Sequence, residues 1–146
     1  LGYVSSDYVV GDGPAAVALR NRRGEWVTPS LASYRAAVRG ANLFRDGLNA
    51  PPLVDVDSPM AWPIVSATYI VIDSKPAAPE RTARALNFFY RSFLMGDRAV
   101  AGTGFAPLPV ETQARVVALL STIRTPDGKP QPVMGEAAEG ARLASR

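Results

Sequence analysis

Apolar positions along this chain fall into one long β-type run and three helical stripes, separated by connections rich in glycine and proline. The long run is Ala61-Trp62-Pro63-Ile64-Val65-Ser66-Ala67-Thr68-Tyr69-Ile70-Val71-Ile72. Its β-branched and aromatic residues suit a pleated, buried surface, and they predict one long strand. Pro63 stands near its start, where a missing N–H does least harm to a ladder. Ser66, Ala67 and Thr68 give the run a small, partly polar centre. At a period of two, Ser66 and Thr68 share one side, so both hydroxyls face one direction. Such a strand either belongs to one sheet or crosses from one lobe to another.

Shorter elements surround it. Residues 1–5 predict a short strand and 15–20 a second, loosely alternating one. Asn21-Arg22-Arg23-Gly24 then predicts a turn, with Gly24 free to take positive φ, and Glu25-Trp26-Val27 returns. Thr28 as N-cap and Pro29 at the first position open a helix. Leu31, Tyr34, Ala37 and Val38 fall on one face of it, and Gly40 ends it. Residues 42–59 show no sustained period, and a loop of that length suggests a lobe surface or a cleft rim.

Beyond the long run, Pro79 and Glu80 open a second helix, with Glu80 at the positive end of its dipole. Ala85, Leu86, Phe89, Phe93 and Leu94 form its core-facing stripe, and Gly96 caps it. Gly102 and Gly104 mark a loop. Pro109 opens a third helix, whose Val116, Val117, Leu119 and Leu120 are expected to bury together with Ile123. Residues 126–130 form a turn, and 134–146 read as a frayed tail or surface helix.

Composition narrows the chemistry. Apolar residues make up 47% and charged residues 20%, a globular balance. Sixteen basic against thirteen acidic residues give a net charge of +3, which barely argues for nucleic acid. Arg20, Arg22 and Arg23 cluster only as a solvated hairpin tip. The absence of cysteine removes disulfides and thiolate metal sites. The absence of histidine removes Ser-His-Asp and Cys-His catalysis, and most transition-metal sites, from this chain.

The remaining candidates have ordinary explanations. Gly11-Asp12-Gly13 and Gly102-Thr103-Gly104 lack the strand–loop–helix setting and the following Lys-Ser/Thr of a phosphate-cradling loop, so both read as turns. Asp55 and Asp57 lack the rest of a calcium loop and read as solvated loop charge. Ser66 and Thr68 either bond to neighbouring backbone or, if the strand lines a hinge, face a cleft.

Four stretches, in order, resemble the phosphate-binding proteins that serve bacterial phosphate ABC transporters. Leu1-Gly2-Tyr3-Val4 resembles that family's Ile-Gly-Tyr-Val strand. Ala61-Trp62-Pro63-Ile64, with Ser66, Thr68, Tyr69 and Ile70, resembles its crossover segment. Ala85-Leu86-Asn87-Phe88-Phe89-Tyr90 resembles its Val-Leu-Lys-Phe-Phe-Asp helix. Phe105-Ala106-Pro107-Leu108-Pro109, then Ile123 and Asp127-Gly128-Lys129-Pro130, resembles its Tyr-Ala-x-Leu-Pro run and Gly-Lys-Pro ending. The likeness covers residues 1–133. Ser5-Ser6-Asp7 departs from the family's usual Glu-Tyr-Ala, and the tail beyond Val133 runs past the common end.

The resemblance implies an α/β, two-lobed periplasmic binding protein fold of type II, of which this chain is the C-terminal part. Residues 1–61 would be the remainder of lobe two, 62–68 the return hinge crossover, and 69–146 the C-terminal part of lobe one, with 134–146 a surface tail. The larger N-terminal portion is expected upstream, because the chain opens directly on a strand-like segment. The implied function is capture of inorganic phosphate in the periplasm and delivery to an ABC transporter permease, without catalytic residues, metal or cofactor. The family's ligands are hydroxyls and backbone N–H groups of a Thr/Ser segment, an Asp, and an Arg followed by a Ser-Gly-Thr helix start. All are expected upstream, which leaves Ser66 and Thr68 as the hinge candidates here. The implied protein is a monomer without nucleic-acid partners, with lipid anchoring through the upstream part left open. Two rivals stay open: a binder of another oxyanion such as sulfate or molybdate, and an enzyme or sensor on the same two-lobed fold.

Overall fold

The computed structural model describes Val4, Tyr8, Val9 and residues 15–44 and 51–131. The chain divides into two compact units. One comprises Leu1–Tyr69 and Arg98–Thr112, the other Ile70–Asp97 and Gln113–Arg146. The strand expected at 1–5, the Gly11-Asp12-Gly13 turn and the tail at 134–146 lie outside the described residues.

In the first unit, β1 (Leu19–Arg20) pairs antiparallel with β2 (Trp26–Val27), Leu19 opposite Val27 and Arg20 opposite Trp26. The turn between them is held from inside. The Asn21 side-chain oxygen accepts from the N–H groups of Arg23 at 3.1 Å and Glu25 at 2.9 Å. Gly24 supplies the left-handed corner at φ 82°.

Helix α1 (Leu31–Gly40) starts at Ser30, not at the predicted Thr28 and Pro29. Ser30 and Ser33 form a reciprocal capping box: Ser33 N–H donates to Ser30 Oγ at 3.1 Å, and Ser30 N–H to Ser33 Oγ at 3.0 Å. That satisfies two orphan donors, whereas Thr28 contributes a carbonyl that accepts from Ser33 Oγ at 2.9 Å. The cap also changes the buried face. Ser33, Ala37 and Val38 are buried, and Leu31, expected inside, is exposed.

Among the described residues of this unit, Val27, Ala37, Val38, Leu53 and Ala61 are buried, as are Pro63 and Pro109. Two arginines fasten α1 to the stretch before α3 (Val110–Leu120) and to its first turn: Arg35 Nε donates to Pro107 O at 3.0 Å, and Arg39 pairs with Glu111.

In the second unit, α2 (Pro79–Met95) begins with proline at its first turn, Glu80 beside it, and ends on Gly96, as predicted. A short 3-10 turn, Gly96–Arg98, follows. Leu86, Leu120 and Ile123 form the buried cluster, with Ile72, Phe89 and Phe93 packed against it. The stripe is narrower than its spacing suggested: Ala85, Leu94 and, on α3, Leu119 are exposed. Leu86, Phe89 and Phe93 fill the apolar contact, which leaves their neighbours on the outside. Residues 124–130 close as a small hairpin, with a bridge between Arg124 and Pro130 and Gly128 at φ 83°.

The long strand is the main departure. Residues 64–73 form no ladder with any described residue, and the only sheet among those residues is β1–β2. β-Propensity describes a side-chain fit to a pleated surface; a strand also requires a hydrogen-bonded neighbour.

Candidate functional site: residues 60–74

The segment from Met60 to Ser74 is held firmly at its two ends. At the first end, Ala61 and Pro63 are buried and Trp62 is half-buried. Six hydrogen bonds converge there, all within the first unit. Met60 N–H donates to Glu25 Oε2 at 2.8 Å and Ala61 N–H to Ser58 O at 3.2 Å. Trp62 N–H reaches Ser33 O at 3.1 Å, and Pro63 O accepts from Asp55 N–H at 2.8 Å. Asn21 Nδ2 donates to Glu25 Oε2 at 2.8 Å and to Ala61 O at 3.4 Å. At the other end, within the second unit, Ile72 packs on the Leu86 cluster and Ser74 O accepts from Arg124 N–H at 3.0 Å.

Between these anchors the backbone makes no hydrogen bond among the described residues. Exposure alternates at a period of two: Val65 and Ala67 are half-buried, Ile64, Ser66 and Thr68 exposed. Ser66 and Thr68 therefore share one solvent-facing side, as their spacing predicts. Neither makes a hydrogen bond to a described residue. Tyr69, Ile70 and Val71 are exposed too, Val71 at 96%.

Sequence reasoning missed the Asn21–Glu25 clamp. The Asn-x-x-Gly turn was legible, but the bond from Asn21 to Ala61 joins residues 40 apart. The clamp has an electrostatic consequence. The Asn21 amide, then the Met60 N–H, and to a lesser degree the Arg23 charge, hold the Glu25 carboxyl below its ordinary value of 4.5. Arg39 does the same for Glu111, and Lys129 followed by Thr125 for Asp127. A carboxyl depressed in the folded state stabilises above its unfolded pKa and loses that contribution as pH falls through the folded one. Stability should therefore decline as pH drops below the ordinary 4.5 of Glu25, and less steeply in Glu25→Gln. Denaturant midpoints measured across that range check it, and parallel curves for the two proteins would contradict it.

Other candidate chemistry is accounted for. Asp57 pairs with Arg23 at 3.2 Å. Asp55 gives its N–H to Pro63, and among the described residues no group of acidic side chains could hold a metal ion. Gly102 and Gly104 take φ 77° and 82° in a turn where Thr103 Oγ1 donates to Val100 O, so they serve the bend. A shallow hollow lined by Val27, Thr28, Ser30, Ala32, Ser33 and Met60 has its serine hydroxyls committed to the α1 cap. No helix of the described residues is long and apolar enough to cross a membrane.

With that geometry, comparison with known proteins is informative. The chain is 28% identical over 130 residues, 88% of its length, to the phosphate-binding protein PstS of Pasteurella multocida. It resembles PstS over most of its length. The Haemophilus influenzae PstS is 28% identical over 80% of this chain, and that of Xylella fastidiosa strain 9a5c 29% identical over 75%. The chain spans 38%, 35% and 30% of those three PstS proteins, respectively. No family model matches it.

Proposed function

We propose that this chain is the C-terminal portion of a two-lobed α/β periplasmic binding protein. It captures inorganic phosphate and passes it to the membrane permease of an ABC transporter. The observation that carries this reading is the similarity to several PstS proteins over 75% to 88% of the chain. In this reading residues 1–61 complete one lobe, 62–68 form the return crossover, and 69–146 finish the other lobe. The work is capture without chemistry: lobes close on a desolvated oxyanion held by many hydrogen-bond donors.

Support also comes from how the crossover is held. A hinge needs fixed ends and a middle free of ladder bonds. Residues 61–63 and 72–74 are fixed, and 64–71 are free among the described residues. Ser66 and Thr68 are the residues here that could reach a ligand, with the principal ligands upstream.

Calorimetric titration of the full-length protein with phosphate, sulfate and molybdate tests the reading. Phosphate should bind far more tightly than the other two, and equal or tighter sulfate or molybdate binding would overturn the specificity. Ser66→Ala and Thr68→Ala should each cost no more than one modest hydrogen bond, about 0.5–1.5 kcal/mol. Abolition of phosphate binding by either change, with the fold intact, would contradict the placement of the main ligands.

A further inference from the structure

Helix α2 has two faces of different character. Leu86, Phe89 and Phe93 turn inward to the cluster. Arg84, Phe88, Arg91 and Met95, spaced by four, three and four residues, lie along the opposite side, and Arg81 flanks them. All five side chains are exposed, Phe88 at 65% and Met95 at 75%. Leu94 beside them is 57% exposed.

An ordinary outer helix face is polar and carries charges of both signs that pair at i,i+4. This row has a single sign of charge. Glu80, at the first turn, is the one acidic residue of α2, and Arg81, Arg84 and Arg91 form no ion pair or hydrogen bond with described residues. Large apolar side chains stand between the cations.

We propose that this face of α2 docks on an anionic phospholipid surface. Three guanidinium groups, unpaired among the described residues, suit a layer of phosphate groups, which they can grip bidentately. Their aliphatic stems, with Phe88 and Met95, suit the boundary between headgroups and acyl chains. From Arg81 to Met95 the row is about 21 Å long at 1.5 Å per residue, and it presents its cations to a flat anionic surface along that length. The charge selects this occupant: an anionic leaflet meets all three arginines at once, without a complementary arrangement of carboxylates on a protein partner. The inference does not rest on phosphate capture.

The test uses the full-length protein, expressed without an acyl chain, and sedimentation with phosphatidylcholine vesicles with and without phosphatidylglycerol. Adsorption should require phosphatidylglycerol and fall as salt is raised. Each arginine near such a surface contributes roughly fivefold, so Arg84→Gln with Arg91→Gln should weaken adsorption roughly 25-fold. Phe88→Ser should weaken it further at high salt. Thermal melting and phosphate titration of each variant should match the parent, which separates this face from the fold and from the ligand site. Absence of adsorption, equal adsorption to neutral vesicles, or an unaltered double variant would overturn the proposal. So would capture by an acidic polypeptide such as polyglutamate in place of anionic vesicles, which would assign the face to a protein partner.

Discussion

Leu86→Ala is expected to lower the stability of the intact protein by about 2–5 kcal/mol, the range for emptying a fully buried leucine site. Leu86 is 0% exposed and is the centre on which Leu120, Ile123, Ile72, Phe89 and Phe93 converge. The removed atoms leave a cavity walled by two helices and the end of the crossover, and aromatic side chains of that size collapse poorly into it. Leu94→Ala is the matched comparison. It lies on the same helix, but its side chain is 57% exposed, so its cost should stay within about 0.5 kcal/mol. Denaturant unfolding of the two variants decides the point. Equal losses would mean that Leu94 is buried as well and that the cluster is wider than described.

Gly40→Ala should also destabilise, against the helix propensity scale. At the end of a helix, alanine gains up to about 1 kcal/mol over glycine. Here a Cβ on residue 40 would run into Ser58 Cβ and stand 2.8 Å from Val56 Cγ1. These atoms are not the yielding ends of long side chains, so the 56–58 loop would have to move. Overpacking of this kind costs about 1–3 kcal/mol, which outweighs the propensity gain. Because that loop leads into Met60 and Ala61, the shift should also loosen the bonds that hold residues 60–63. Gly96→Ala is the control: φ is −75° and the nearest atom is 4.0 Å away, so the change should be neutral or stabilise by about 0.4–1 kcal/mol. A stabilised Gly40→Ala variant would show that the loop does not pack against α1 as described.

Much of the local structure was legible because its causes are local. Pro79 and Glu80 start α2, Gly96 ends it, and Gly24, Gly102, Gly104 and Gly128 take the left-handed corners their turns require. The period of two placed Ser66 and Thr68 on one side, and the ordered motifs pointed to the same family as the comparisons. The boundary of α1 was missed because a hydroxyl pair, Ser30 with Ser33, outcompeted the Thr-Pro signal two residues earlier.

Only the tertiary structure decided which apolar residues are inside. Leu31, Leu94 and Leu119 carry the same hydrophobicity as Leu86, and a helical stripe assigns a face without limiting its width. It also decided the state of the long apolar run. Sequence by itself determined the period of two that holds from Ile64 to Thr68, with Ser66 and Thr68 at its exposed positions. Whether that run is a strand depends on hydrogen-bond partners contributed by other segments, and the described residues provide none for 64–71. The same holds for the clamp at its start. Asn21 determines its own turn through bonds two and four residues along the chain. That it also holds Ala61 follows only from folding, because side-chain type carries no information about which distant carbonyl will arrive beside it.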